Sequence, residues 1–412
     1  MRIAHAFIFL LICGSYATAN TLRVGTKANI QKLTDAVALA QQGDTILVEP
    51  GTYREGNVLI QKKLFVIGLH YPILDGEDKF EIFTIHANGV VVQGFHFQNT
   101  GIASINDLAA IKVLDSHGIA IRNNRFTNTF FGIYLSNSTG AIIENNELQS
   151  DADAEHQIAN GIHLWKCDDI IIRNNRIKGH RDGIYFEFVT NSTITNNHSE
   201  ANLRYGLHFM FSHNDEYREN TFLNNGAGVA VMYTQGVKMI RNTFSHNWGS
   251  SSYGLLLKDI RDSFVTDNLF IANSVGIFME GSSRNEMKNN RFVQNGYAIK
   301  LQASCDDNTF RENNFQQNTF DLVTNGHTVL NTIERNYWDR YEGYDLNRDQ
   351  VGDVPYRPIS VYGMIVERVP TAILLWRSFL VFLLDKAEKA MPAITPENLK
   401  DNFPSMQPYD IH

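Results

Sequence analysis

Short apolar runs, each opening on a glycine, recur through the middle of the chain: Gly161-Ile162-His163-Leu164, Gly183-Ile184-Tyr185-Phe186, Gly206-Leu207-His208-Phe209 and Gly228-Val229-Ala230-Val231. Within each run apolar residues alternate with others, the period of a half-buried β-strand. Ile162/Leu164, Ile184/Phe186, Leu207/Phe209 and Val229/Val231 therefore face one side, and His163, Tyr185, His208 and Ala230 the other. The glycine series extends over Gly132, Gly161, Gly183, Gly206, Gly228, Gly254 and Gly276. A second marker, Asn two positions before an apolar residue, falls at Asn124, Asn146, Asn175, Asn220, Asn242, Asn268, Asn290, Asn313 and Asn336, with Asn197 degenerate because Ser199 follows it. Steps in both series are 22 or 23 residues, apart from one of 29 and one of 26. A unit of that length, made of three short strands and their turns, predicts the coil of a parallel β-helix and is too short for a propeller blade.

Both long steps fall at the same corner of the coil, as insertions around 151–157 and 246–252, each bringing a histidine, His156 and His246. The repeated Asn has a structural role: stacked amides at one turn hydrogen-bond along the stack and satisfy backbone groups that would otherwise be buried unpaired. A helical period over 30–40, followed by Gly43-Asp44-Thr45-Ile46-Leu47-Val48, predicts a helix that caps the open apolar end of the stack. This stretch resembles the entry segment of pectate-lyase-like right-handed β-helices. At the other end, 369–384 is strongly apolar but only 16 residues long and interrupted by Arg377. A spanning helix needs about 20 apolar residues, so the segment is expected to cap the stack, lie on a membrane surface or dock on a membrane-embedded partner, with an extended Pro-punctuated tail after Pro392. The expected organisation is a signal peptide at 1–19, a cap and first coil at 20–64, a β-helix at 65–345, a closing turn at 346–368 and a docking segment with its tail at 369–412.

Composition changes this picture in three places. The N-terminus carries Arg2, an apolar run and Ala17-Thr18-Ala19, the pattern of a secretory signal, so export is expected. Ile12 before Cys13 argues against lipidation. The net charge of −8, with acidic and basic residues interspersed, supplies no basic stripe for a nucleic-acid backbone. Export would permit a bridge between Cys167 and Cys305, but these lie six coils apart. At roughly 4.8 Å per stacked strand that is on the order of 29 Å, far beyond the Cα separation of about 7 Å that a disulfide tolerates. Two free thiols are expected.

Candidate chemistry lies on the outward columns. Two positions after each glycine stand Tyr134, His163, Tyr185, His208, Ala230, Leu256 and Phe278; four positions after stand Ser136, Trp165, Glu187, Met210, Met232, Lys258 and Glu280. Imidazole beside thioethers is a soft ligand set, and in an exported protein it points to copper, chiefly Cu(I). The candidate metal residues are His208, Met210, Met232, His163 and Glu187. Asp345-Leu346-Asn347-Arg348-Asp349 offers calcium oxygen ligands at alternate positions, but Gln350 stands where a calcium loop wants Gly and Tyr356 where it wants Glu, so a polar turn is expected there. The rival reading is an exported polysaccharide-active β-helix enzyme, a lyase, epimerase or hydrolase. That chemistry needs paired carboxylates or a carboxylate with a positioned base. Glu187 is the main carboxylate of the columns between the insertions, and the best remaining catalytic candidate, His180-Arg181-Asp182, reads as a corner salt bridge.

Long stretches carry a more specific resemblance: Asn160-Gly161-Ile162-His163-Leu164-Trp165-Lys166-Cys167, His180-Arg181-Asp182-Gly183-Ile184-Tyr185-Phe186-Glu187-Phe188, Arg204-Tyr205-Gly206-Leu207-His208-Phe209-Met210-Phe211-Ser212-His213 and Gly226-Ala227-Gly228-Val229-Ala230-Val231-Met232-Tyr233. The chain resembles the NosD family, periplasmic maturation proteins of nitrous oxide reductase, over nearly its whole mature length. The resemblance implies a right-handed parallel β-helix in the periplasm, held at the inner membrane through the membrane subunit of an ABC transporter. It implies work with a copper chaperone lipoprotein and the apo-reductase in assembling a copper–sulfide centre. It implies no enzymatic activity of the chain's own, ATP being consumed by the transporter. It does not fix the metal ligands, which rest on stacking alone.

Overall fold

The computed structural model describes residues 19–411 apart from 104–105, 152–153, 327–329 and 391–398, so the expected signal segment lies outside the described residues but for its last position. Each alternating run can bury only one face, and the coil returns the next run beside it, so every run pairs in parallel with its own copy. The described residues form three parallel sheets of 14, 12 and 13 strands. In the twelve-stranded sheet the register joins Ile162, Ile184, Leu207 and Val229, and beside them His163, Tyr185, His208 and Ala230. The inward members of these runs are fully buried. Both insertions leave the coil between the thirteen-stranded and twelve-stranded sheets.

The interior is a stack of like on like. Phe222, Phe244, Phe270, Phe292, Phe315 and Trp338 follow one another at ring separations of 4.1–5.5 Å, each nearly parallel to the next. Burial of each such side chain stabilises the stack by about 1.5–3 kcal/mol. Along one turn the amides form a ladder: the backbone N–H of each Asn donates to the side-chain oxygen of the next, from Asn124 through Asn146, Asn175, Asn197, Asn220, Asn242, Asn268, Asn290 and Asn313 to Asn336, at 2.8–3.1 Å. Asn197 keeps its place although Ser199 replaces the usual apolar residue, because Ser199 Oγ donates to Gly206 O and accepts from Asn202 Nδ2. Five residues further on, a second ladder runs through Asn202, Asn225, Asn247, Asn273, Asn295 and Asn318. The repeated Asn-x4-Asn spacing was its signal in the sequence.

Both ends of the stack are closed by the chain itself. Helix α1 (Leu33–Leu39) lays Leu33, Ala36 and Val37 on the first coil. Lys32 offers its N-terminus no side-chain cap, and Glu55 does so instead, accepting from the N–H groups of Leu33 and Thr34 at 2.7 and 2.9 Å. The segment expected as a closing turn contains the polar loop 345–353. There Asp345 accepts from the N–H groups of Asp349 and Gln350, and Asp353 from that of Leu346. The same segment ends in helix α2 (Val361–Arg368), which packs Tyr362 and Val366 against Phe320 and Val323 and pairs Glu367 with Lys300 at 2.7 Å.

The apolar segment beyond is divided into a 3-10 turn (Pro370–Leu375) and helix α3 (Phe379–Ala390), because Arg377 between them takes a left-handed conformation, φ 66°. No helix among the described residues is long and apolar enough to cross a membrane. The tail wraps the chain's own last coils. Fully buried Asp401 accepts from the N–H groups of Arg335 and Asn336 at 3.0 and 2.8 Å, from the Asn336 amide and from Trp338 Nε1, so it stands as the last rung of the asparagine ladder. Tyr409 exchanges hydrogen bonds with the Asn314 side chain. Cys167 and Cys305 are free and buried.

Two stability predictions follow from the ladders. Removing the Asp401 carboxylate leaves several buried donors unpaired, so Asp401→Ala should cost about 2–4 kcal/mol and open the tail to protease; an unchanged melting temperature with a protected tail would contradict this. A third column at the neighbouring turn holds Ser192, Asp215, Ser263, Asn285 and Asn308. Burial pushes the Asp215 carboxyl up to about 8 from an ordinary 3.8, and one of its oxygens has no partner. Between those pH values the folded chain holds a proton that the unfolded chain lacks, so stability falls as pH rises through that window. Asp215→Asn should flatten this slope and raise stability at pH 8 by about 1–2 kcal/mol; denaturant titrations at pH 5 and pH 8 that show the same slope as wild type would refute it.

Candidate functional site

The outward column of the twelve-stranded sheet owes its regularity to the glycines that open its strands. A Cβ on Gly206 would lie 2.7 Å from Gly228 O, so only glycine lets successive coils approach there and keeps the next residues in step. With the strands in register, rings stack: Tyr134 and His163 centroids lie 4.8 Å apart at 5°, His163 and Tyr185 at 4.8 Å and 16°. His208 turns across the series, meeting Tyr185 at 5.0 Å and 85°. Tyr205, the first residue of the same strand, roofs it at 4.7 Å. His208 is thereby only 4% exposed although it leaves the coil on the outer side. The alternation places His208 outside the coil; the roof comes from Tyr205, which a strict alternation would put on the opposite face.

The second column lies beside the first. Glu187, Met210 and Met232 are register partners on successive strands. The Tyr185 hydroxyl donates to Glu187 Oε2 at 3.3 Å and lies 3.6 Å from Met210 Sδ, linking the carboxylate to the first thioether. All three column residues are partly exposed, forming an open edge to the covered imidazole. The five expected residues thus fall on four consecutive strands of one face, His163 at one end and Met232 at the other. The loop histidines are exposed, and His246 Nδ1 lies 2.6 Å from Ser245 Oγ.

The corner His180-Arg181-Asp182 joins this site. Asp182 is fully buried, and its Oδ2 lies 3.6 Å from His208 Nδ1. Arg181 Nη2 donates to Asn160 Oδ1 at 3.2 Å, and the Asn160 amide nitrogen lies 2.9 Å from His163 Nδ1. Asn160 and Tyr205 carried no signal beyond standing next to the glycines.

Burial pushes the His163 imidazole down to about 3, helped by Arg181 and opposed by Asp182. His180 is pushed down to about 4 by complete burial, and the Tyr185 phenol up to about 12, by burial first and then by Glu187. His163 is therefore neutral and Tyr185 protonated near neutral pH. A neutral imidazole is the form that binds metals.

The soft set fits copper on one observation above others. Both ring nitrogens of buried His208 lack a hydrogen-bond partner, a costly condition that a metal at Nε2 would relieve. Among the described residues no three His, Cys, Asp or Glu side chains converge as a metal site. A site here therefore depends on the thioethers. The same edge bears a further feature, five positions after Gly183, Gly206 and Gly228: Phe188, Phe211 and Tyr233 stack at 5.3 and 5.0 Å while remaining 37–45% exposed. All three adopt left-handed backbone, φ 51–57°. This aromatic edge adjoins Glu187, Met210 and Met232.

A protein-family model described as "Periplasmic copper-binding protein (NosD)" matches residues 149–346, which include all five candidate metal residues. A "Probable ABC transporter binding protein NosD" of Pseudomonas aeruginosa is 29% identical over 374 residues, covering 85% of this chain and 86% of that protein. One of the same name from Stutzerimonas stutzeri is 26% identical over 355 residues, covering 81% and 80%. Among solved structures, the surface adhesin PfbA of Streptococcus pneumoniae superposes with a TM-score of 0.55 at 13% identity, covering 74% of this chain and 88% of that one. A GH87 alpha-1,3-glucanase catalytic domain does so with a TM-score of 0.55 at 11% identity, covering 78% and 69%. At such identities these two speak for the fold alone.

Proposed function

We propose, from its similarity to NosD proteins, that this chain is a member of that family and a periplasmic copper-binding accessory of an ABC transporter. It takes part in delivering copper or a sulfur species during assembly of the copper centre of nitrous oxide reductase. The single observation that carries the copper reading is the buried, unpartnered His208 imidazole set beside Met210 and Met232. Nitrogen and thioether donors on adjoining strands suit Cu(I), which accepts soft ligands and low coordination numbers, better than they suit calcium or magnesium. Glu187 lies at the open edge of the set, held by Tyr185, while His163 stands one strand beyond it, stacked on Tyr185 and outside the ligand set. The ion is cargo here: its ligands are few, and an open side remains from which a donor protein can give it up or an acceptor take it. A copper chaperone lipoprotein and the apo-reductase are the partners this reading assigns to that side. The relatives' names describe binding proteins, in keeping with a non-enzymatic role.

The transporter's membrane subunit is assigned to the other end. Leu374 and Phe379 are 86% and 74% exposed, and Leu380, Phe382 and Leu383 stand beside them. Such a contiguous apolar surface on a protein in water marks an interaction site. The tail 399–411, expected with the docking segment, is engaged with the chain's own coils, which confines the docking role to about 369–388. That placement would hold the protein at the inner membrane.

The purified mature protein, alone or with its transporter, should bind Cu(I) at least about tenfold more weakly when His208 and Met210 are both alanine, read by competition with a chromophoric chelator. Unchanged affinity would sink the ligand assignment. Leu374→Ser with Phe379→Ser should abolish co-purification with the transporter while leaving the melting temperature in place; full-yield capture would remove the docking role.

A further inference from the structure

We infer that the corner Arg181-Asp182 holds the two histidines of the column in opposite tautomers, so that His208 presents a free Nε2 lone pair to copper while His163 presents an N–H. The inference rests on the copper reading for its ligand half and on hydrogen-bond chemistry alone for its tautomer half.

The assignment begins at Arg181, whose guanidinium has only donors to offer. Its Nη2 lies 3.2 Å from the Asn160 side chain and therefore selects the amide oxygen. With that end of the amide committed, the NH2 end faces His163 Nδ1 at 2.9 Å. An amide nitrogen cannot accept, so Nδ1 must carry the lone pair. A neutral imidazole has one N–H, which is left for Nε2. The ring is held in place as well: it is sandwiched between Tyr134 and Tyr185, with the edge of Phe131 at 5.3 Å. His163 is thus built as a donor, and metal ligation through Nε2 would require breaking the Arg181–Asn160 arrangement.

His208 is placed the other way. The group facing its Nδ1 is a carboxylate, which only accepts. Asp182 Oδ1 is used by the backbone N–H of Tyr205 at 3.3 Å, while Oδ2, with no hydrogen-bond partner, lies 3.6 Å from Nδ1. With side-chain exposures of 0% and 6%, the pair is shielded from bulk solvent. The proton therefore belongs on Nδ1, and Nε2 is the lone pair. A carboxylate behind a ligating histidine fixes its orientation and raises its basicity, and losing it typically weakens metal binding about 10- to 100-fold. Asp182 is on this account a positioning residue, and Arg181 with Asn160 a device that keeps the neighbouring histidine out of the coordination sphere. Copper then meets one imidazole and two thioethers, with an N–H alongside.

The test uses the mature protein labelled with 15N-histidine. Without metal, two-bond proton–nitrogen spectra should show His208 protonated at Nδ1 and His163 protonated at Nε2. Asn160→Asp, which turns an acceptor towards His163, should move that ring to the Nδ1–H form and leave His208 unchanged. In Cu(I) competition titrations, His163→Phe, which keeps the ring stack, should stay within about threefold of wild type. Asp182→Asn should weaken binding by about 10- to 100-fold, with the His208 nitrogen alone shifting on metal addition. Finding both histidines in one tautomer, or a His163 nitrogen that shifts on copper binding, would overturn the inference. If wild type binds no Cu(I), the copper reading and the ligand half fall together; the metal-free spectra still decide the tautomers.

Discussion

The hydrogen bond between the backbone N–H of one turn and the side-chain oxygen of the asparagine in the next turn is the constraint on which the molecule depends. A β-helix of short strands has as many turns as strands, and a turn that points inward would bury its N–H groups without partners. Ten asparagines from Asn124 to Asn336 answer that demand rung by rung. Because each rung is both donor and acceptor, it also sets the register of the next coil. Register in turn decides which side chains become neighbours on the outer face. The adjacency of Glu187, Met210 and Met232 is therefore a product of amides on the far side of the coil.

This dependence explains why so much of the fold was legible in the sequence. Strand alternation, the opening glycine and the asparagine each repeat with one period, and any one of them locates the other two. The columns from Tyr134 to Phe278 could be written down before any coordinates because a period of two within a period of 22 or 23 assigns each residue a strand and a face. The two insertions were legible as breaks in that period.

What escaped notice lies where the period says nothing. Tyr205 roofs His208 from the first position of the same strand, and a strict alternation puts positions 205 and 208 on opposite faces. The Asp182–His208 approach joins residues on neighbouring strands that are not register partners, so column reasoning could not pair them; it assigned the corner to a generic salt bridge. The break in the apolar C-terminal segment at Arg377 depends on a single left-handed residue. The same limit hid Asp401, since nothing in a tail of mixed composition distinguishes an aspartate that will imitate an asparagine sixty-five residues earlier.

Asp401 has a mechanical implication for the segment before it. The exposed apolar stretch is not a free end: Tyr362 and Val366 are seated on Phe320 and Val323 ahead of it, and Asp401 is seated on the following turn at Arg335 and Asn336 behind it. A tether fastened at one point swings, whereas a strap fastened at two points transmits. A pull on 369–388 by the proposed membrane partner would reach Asn336 and Trp338, the end of the ladder and of the aromatic stack. The rigid column above them would then turn as one body, carrying the thioether edge with it.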